Sequence, residues 1–456
     1  MKDIMPEEEY RRLTMKNNKI GKAPAVSWIV FVMVWLVYAF NTGCREILNK
    51  LMPAIVEHFH MSASVSGLLG TAGTVGAGIF VLFISDWGDR QGLGYKRKRP
   101  QFIVACLYLV MTFLIGLPVM NSMAILFVLQ FFRFGFAQGG EGLDASAAAE
   151  WFPQESKNFI ICAHHTGYPW GSAIVCLFAV FLYNRTGSWK LPFMVIPGVA
   201  LVLWFIYIFY ASKSRFEQNN KNMEAMGLHP SITMDEIEHQ TSAKSEDMPK
   251  QKKESMFSLF RNRNVIAAFI AYAFIIGAYY GFNYWLTPYL TYQCNMDTTK
   301  AAAFSVVFTI TAGLGQIFWG AISEKIGSKR TMIICSLWLL VCFSMLPLMK
   351  KGILVLIVIQ LLMGFCLNAT FPVLYSIAGA SVRKDQLATA IGICNFAGII
   401  GGVYPLLMGN LISLGGGFHS AAGYTYCLIA MIASLAISLA VMVLLCKEVS
   451  GPRKGI

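Results

Sequence analysis

Arg45 stands at the end of a long apolar stretch, Val26 to Phe40, that continues as Asn41-Thr42-Gly43-Cys44-Arg45. A cation at such depth in a membrane segment costs roughly 2.5–3.5 kcal/mol unless something compensates it. Two arrangements relieve that cost. The side chain can snorkel to an outer interface, or it can face a water-filled cavity and neutralise an anionic guest. Position alone leaves both open. The planar fork of donors suits carboxylate or phosphate held by two hydrogen bonds, which lysine would do less well. Glu46 and Lys50, four residues apart, are positioned to pair with each other near the outer surface.

A second cluster lies at Arg133, Glu141 and Asp144. Glu141 and Asp144 share a helical face, and Arg133 is expected on roughly the same side. Burial favours the neutral form of a carboxyl group and a nearby guanidinium the ionised form. A carboxyl group in that setting can exchange a proton as an anion arrives or leaves. Glu141 with Arg133 is therefore assigned to proton coupling, the other reading being a structural pair that locks two helices. Asp144 is placed nearer the mouth. Polar groups interrupt other apolar stretches: Tyr168, then Tyr279 and Asn283 within Ala278 to Trp285, Asn368 with Tyr375, and Asn395 with Tyr404. Such groups suit substrate hydroxyls, although each could equally pack helices together.

These residues need elements to hold them, and composition says which. The 456 residues are 56% hydrophobic and only 13% charged, where a soluble domain carries about 25% charged residues. The chain is thus a membrane protein. Its net charge of +13 is no nucleic-acid signal, because the basic residues gather in short segments between apolar runs. Eleven cysteines without a C-x-x-C pair suggest neither metal nor disulfide framework. No nucleophile–base constellation or phosphate-cradling loop marks an enzyme. No cofactor is expected beyond a proton as coupling ion.

A helix crosses the hydrocarbon layer in about 20 residues. Spans are predicted near 26–53, 64–84, 101–120, 123–149, 158–184 and 190–211, then 264–290, 301–322, 330–349, 353–380, 387–413 and 421–446. The fold class is all-α, with twelve transmembrane helices in two six-helix bundles, 26–211 and 259–446. A tail, 1–25, precedes them, a polar linker, 212–258, joins them, and 447–456 forms a second tail. The linker is expected to be solvated and at most partly helical. Basic residues in the first tail, at Lys96 to Arg99, in the linker, at Lys329-Arg330 and in the last tail fall on one side of this path. They place both termini in the cytoplasm and the protein in the cell membrane. Lys350-Lys351 is the exception, in a predicted outer loop.

The halves repeat one another. Ser85-Asp86-Trp87-Gly88-Asp89-Arg90-Gln91-Gly92 after the second span matches Gly320-Ala321-Ile322-Ser323-Glu324-Lys325-Ile326-Gly327 after the eighth, at an offset of about 235 residues. The acid–base pairs Asp89-Arg90 and Glu324-Lys325 are candidate gating groups, pairing in one conformation and releasing in another. Gly167-x-x-x-Gly171 and Gly398-x-x-x-Gly402 sit at nearly the same offset and would let helices approach closely.

Those loops resemble the motif between spans two and three of the major facilitator superfamily, G-x-x-x-D-[RK]-x-G-[RK], with Ser85 in place of the first glycine. The resemblance runs from about residue 26 to 446 and implies two pseudo-symmetric bundles, a central cavity and alternating access. Arg45, eight residues before Pro53, resembles the substrate-binding arginine of organic anion–cation symporters and of organophosphate–phosphate antiporters. Cys162-Ala163-His164 is similar to a fifth-span stretch of those antiporters, which selects His164 over His165 as the substrate-facing histidine. Cys394-Asn395-Phe396-Ala397-Gly398 resembles an eleventh-span motif of the symporters. The antiporters carry a second arginine where this chain has Tyr279, and one arginine matches a monoanionic carboxylate better than a doubly charged phosphate. The expected function is proton-coupled symport of a small organic anion such as a sugar acid, by a monomer in the lipid bilayer, with no nucleic acid as partner. Phosphate-type exchange and a transporter-like membrane sensor are the alternatives.

Overall fold

The computed structural model describes residues 21–242, 259–382 and 387–448. Each long apolar stretch among them is helical. The first half comprises Ala25–Lys50 continued by Met52–Phe59, then Ala63–Gln91, Lys98–Gly116, Met123–Glu150, 157–186 and Lys190–Tyr210. The second comprises Arg263–Tyr292, 298–326, Ser328–Ser344, Ile353–Ala380, 387–414 and Ala421–Leu444. Eleven of these are long and apolar enough to cross a membrane. The ninth helix, Ser328–Ser344, has 17 residues and sits at the lower limit of about 17. The protein is an all-α membrane protein with twelve spans in two six-helix bundles.

The first span decides where Arg45 lies. Pro53 has no N–H to give to the carbonyl four residues earlier, so the helix is interrupted at Leu51. It resumes at Met52 and runs on to Phe59. Arg45 is therefore about 30 Å from the start of the helix, with further helical turns beyond it. It lies in the interior of the bundle, and 1% of its surface is exposed. The snorkelling alternative is removed.

Close helix contacts fix the first span against the fifth. A Cβ added to Gly171 would stand 2.3 Å from the Ala39 Cβ, and one on Gly43 would stand 2.3 Å from Val175 Cγ1. The expected mirror pair behaves differently. Gly398 has ordinary contact with Tyr272, and Gly402 packs against Thr74 of the second span, while neighbouring Gly401 meets Ile276 of the seventh. Sequence offset does not specify which neighbour a glycine faces.

The duplicated loops share a backbone feature. Helices two and eight both end at a glycine in the left-handed region, Gly92 at φ +148° and Gly327 at φ +98°. Only glycine takes that conformation without a Cβ penalty. The side chains of Asp89 and Glu324, half of the proposed gating pairs, lie outside the described residues; Arg90 and Lys325 are exposed. Other acids engage these loops. Glu150 accepts from Arg97 at 2.6 Å and from the Gly94 N–H at 2.7 Å. Glu448 accepts from the N–H groups of Lys329 and Arg330 at the start of the ninth helix, where a carboxylate complements the helix dipole.

The first part of the linker is more ordered than its composition suggested. It forms helices Lys213–Ala225 and Met234–Ser242, with Phe216, Met223, Leu228 and Ile237 buried. Asn219 and Ser27 hydrogen-bond the Trp151 carbonyl, tying linker and first span to the end of the fourth. Sparse apolar residues at helical spacing were enough for docking.

His229 Nδ1 meets Glu155 Oε1 at 2.8 Å, and the Gln154 N–H donates to the His229 carbonyl at 2.8 Å. Burial pushes the Glu155 carboxyl up, but hydrogen bonds from His229 and the backbone prevail and hold it below its ordinary value. A lowered carboxyl pKa contributes stability that is present above the unfolded value, about 4.3, and is lost as pH falls through the folded one. Relative to the intrinsic rate at each pH, hydrogen exchange over 229–231 should therefore rise as pH drops below about 4. Glu155→Gln should raise it at neutral pH, and identical exchange in the variant would refute this latch.

Candidate anion-binding site

Arg45, Gln138 and Glu141 meet where the first and fourth spans cross. Arg45 Nη1 donates to Gln138 Oε1 and lies 3.4 Å from Glu141 Oε2. Gln138 Nε2 donates to the same Glu141 oxygen at 2.6 Å. The other carboxylate oxygen accepts from Tyr38 at 2.6 Å. Arg45 also lies under two rings, Tyr168 at 5.4 Å and Phe134 at 5.8 Å, where a guanidinium gains cation–π attraction. Two donors remain. Arg45 Nε and Nη2 are buried and have no hydrogen-bond partner among the described residues. They form the side-on edge of the guanidinium, the edge that grips a carboxylate with two parallel bonds.

Arg133 is not part of this pair. Eight residues of helix separate it from Glu141 by about 12 Å along the axis and 80° around it. It is fully buried and donates instead to the Cys44 carbonyl and to Gln130, with the Arg45 carbonyl at 3.5 Å. It thus fixes the backbone that carries Arg45. Asp144 is buried rather than at a mouth, and accepts from Gln101 at 2.8 Å.

The two histidines separate as a helix requires, about 100° apart. His164 is fully buried and stacks on Tyr38 at 4.3 Å between centroids. His165, not the expected His164, is the histidine beside the acid: its side chain is 44% exposed and its Nδ1 lies 3.7 Å from Glu141 Oε1. A π-helical turn, Gly167–Gly171, follows directly and carries Tyr168. Such turns are frequent at functional sites because they re-aim side chains.

From the second half, the Tyr279 hydroxyl donates to Tyr168 at 2.8 Å, closing the wall beside Arg45. Asn395 is exposed, and its Oδ1 accepts from Tyr375 at 2.6 Å, with Tyr272 hydrogen-bonded to Tyr375 at 2.9 Å. Asn368 is 1% exposed at the break in the tenth span, and its carboxamide has no hydrogen-bond partner among the described residues.

Asn283 has a different place from the one expected. Its Oδ1 accepts from Lys50 at 3.0 Å and its Nδ2 donates to Glu46 at 2.8 Å. Glu46 and Lys50 are both buried and reach each other through this amide of the opposite half, not at a surface. Lys50 also donates to the Ser305 carbonyl at 3.4 Å. Further bonds join the halves on the same side: Ser64 to Ser413 at 2.9 Å and Tyr284 to the Ser66 carbonyl. The bundles are thus closed at the end away from the termini. Tyr38 and His165 were missed from the sequence because only packing across helices brings them to Glu141, whereas Gln138 was signalled by its position three residues earlier on the same helix and was overlooked.

The chain belongs to the Major Facilitator Superfamily, which matches residues 34–307 and 289–455. It is 23% identical to a hexuronate transporter of Bacillus subtilis over 86% of this chain and 89% of that one. It is 23% identical to the glucose-6-phosphate exchanger SLC37A2 of Xenopus tropicalis, over 82% and 76%. The match to the uncharacterized transporter YybO of Bacillus subtilis, also 23% identical, spans 66% of this chain and 65% of that protein. In fold it is similar to a bacterial homolog of the human lysosomal transporter Spinster in an inward-facing, occupied conformation. There the TM-score is 0.65, with 16% identity over 93% of this chain and 97% of that one. The protein is an MFS transporter.

Asn283→Ala should weaken the closed end by removing two hydrogen bonds to charged groups, each worth about 1.5–3 kcal/mol. A Ser64→Cys/Ser413→Cys pair reads this directly. Cross-linking should be efficient alone and should fall severalfold when Asn283→Ala is added. An unchanged yield would remove Asn283 from the latch.

Proposed function

We propose that this chain is a proton-coupled symporter of a small monoanionic carboxylate, a sugar acid or a similar anion, working by alternating access. The observation that carries this reading is the unpartnered Nε and Nη2 edge of Arg45, enclosed beside an acid that already occupies Nη1. A buried donor pair without an acceptor is costly, and a substrate carboxylate would supply both acceptors. The hydroxyl-bearing side chains Tyr168, Tyr279 and Tyr375 and the amide of Asn395 are suited to the hydroxyls of such a guest.

Glu141 couples the proton. While ionised, it competes with the substrate for Arg45. Protonation leaves the positive charge of Arg45 uncompensated for the incoming anion, which takes the Nε and Nη2 edge, and release of both resets the pair. His165, exposed and close to Glu141, is the group best placed to pass protons from the open side. With the termini in the cytoplasm, the closed end is the outer one and the site opens inward.

Exchange of sugar phosphate for phosphate is the weaker reading. A second cation, Lys50, lies one turn beyond Arg45, but Asn283 and the Ser305 carbonyl already hold it. Uptake of labelled hexuronates and related sugar acids into proteoliposomes tests the proposal. An inward proton gradient should drive accumulation. Arg45→Lys should lower uptake at least ~100-fold, the equivalent of about 2.7 kcal/mol. Glu141→Gln should keep counterflow and lose gradient-driven accumulation. Normal uptake by Arg45→Lys and Arg45→Ala, or phosphate-driven counterflow indifferent to pH, would overturn it.

A further inference from the structure

A narrow cleft, about 620 Å³ when the open solvent at its mouth is included, opens at the far end of the second half, away from the termini. Phe282, Trp285 and Tyr289 of the seventh span, Leu346 of the following turn, and Tyr424 and Leu428 of the twelfth span wall it. Along the twelfth span it reaches from Ala421 to Met431, about 15 Å at a rise of about 1.5 Å per residue. Ala421, Thr425, Pro347 and Lys350 are exposed at its edge. The walls are almost wholly apolar, so the cleft is a poor site for water.

Tyr289 and Thr425 give their hydroxyls to the Leu346 and Ala421 carbonyls, and two other polar groups break the apolar pattern. The Tyr424 hydroxyl is buried and has no hydrogen-bond partner among the described residues. Lys350 stands at the edge, with one bond to Gln293 at 3.0 Å and its ammonium 5.8 Å from the Tyr289 ring centroid. An ammonium has three donors, so capacity remains. Lys350 and Lys351 are exposed basic residues on the side opposite the termini, where Arg185, Lys190 and Lys300 also lie. A narrow apolar slot with a donor inside and a cation at its mouth has the layout of an amphiphile.

We propose that this cleft binds an anionic phospholipid from the leaflet opposite the termini. One acyl chain fills the slot, the phosphate lies on Lys350 and an ester carbonyl accepts from Tyr424. Phe282 and Trp285 form the lipid wall, while Asn283 and Tyr284 on the same helix bond the opposite half. The bound lipid would thus brace the segment that closes the far end.

The test is native mass spectrometry of the purified protein, titrated with phosphatidylglycerol or phosphatidylcholine and compared with reconstitution in nanodiscs of each lipid. Wild type should retain phosphatidylglycerol about tenfold over phosphatidylcholine. Lys350→Gln should erase that preference while leaving acyl-chain retention. Tyr424→Phe should weaken retention of both lipids. Leu428→Trp, which fills the slot, should abolish retention; Thr425→Trp at the exposed edge does the same job should the first variant fail to fold. Equal retention of the two lipids by wild type, or undiminished retention in both tryptophan variants, would overturn the proposal.

Discussion

A charge inside a low-dielectric bundle must be answered, and Arg45 is the charge around which this protein is arranged. Glu141 answers part of it, Gln138 shares the same nitrogen, and the Tyr168 and Phe134 rings cover the rest. Removing an ion pair from water costs several kcal/mol per ion, so the arrangement is not a source of stability. Two of the guanidinium donors, Nε and Nη2, have no hydrogen-bond partner among the described residues. A site that met all of its own needs would have no affinity left for a guest.

Geometry around that charge is enforced by groups that do not face it. Arg133 reaches from the fourth span to the carbonyls of Cys44 and Arg45 and so sets the depth and rotation of the first span. Gly43 and Gly171 let the fifth span approach until Tyr168 overlies the guanidinium. Glu46, the next residue, and Lys50, a turn beyond it, divide between them the two ends of a single amide, Asn283. The first span therefore carries both the buried guanidinium and the bond to the opposite half. Any movement that separates the halves is felt at the arginine.

Much of this was legible in the chain. Twelve spans and the duplicated loop ending in Gly92 and Gly327 follow from hydropathy and spacing, and Arg45 and Glu141, singled out by the cost of burying charge, do lie together inside the bundle. Tyr168 and Tyr279 were marked as polar groups in apolar runs, and they do meet. The linker helices were under-read because their few apolar residues bury against the bundle, a gain visible only with the partner surface present.

Periodicity along one helix fixes angles and rises within that helix, and this is what the sequence by itself determined. It says that His164 and His165 point apart and that Glu141 and Asp144 share a face, but it paired Arg133 with Glu141, which the structure does not. It does not say which histidine meets the acid, that Arg133 turns to backbone carbonyls, or that Asn283 bridges two ions across the halves. Those outcomes depend on how one helix is rotated and shifted against another. Small residues, a π-helical turn and the proline break set that rotation jointly, so only the tertiary structure could decide them.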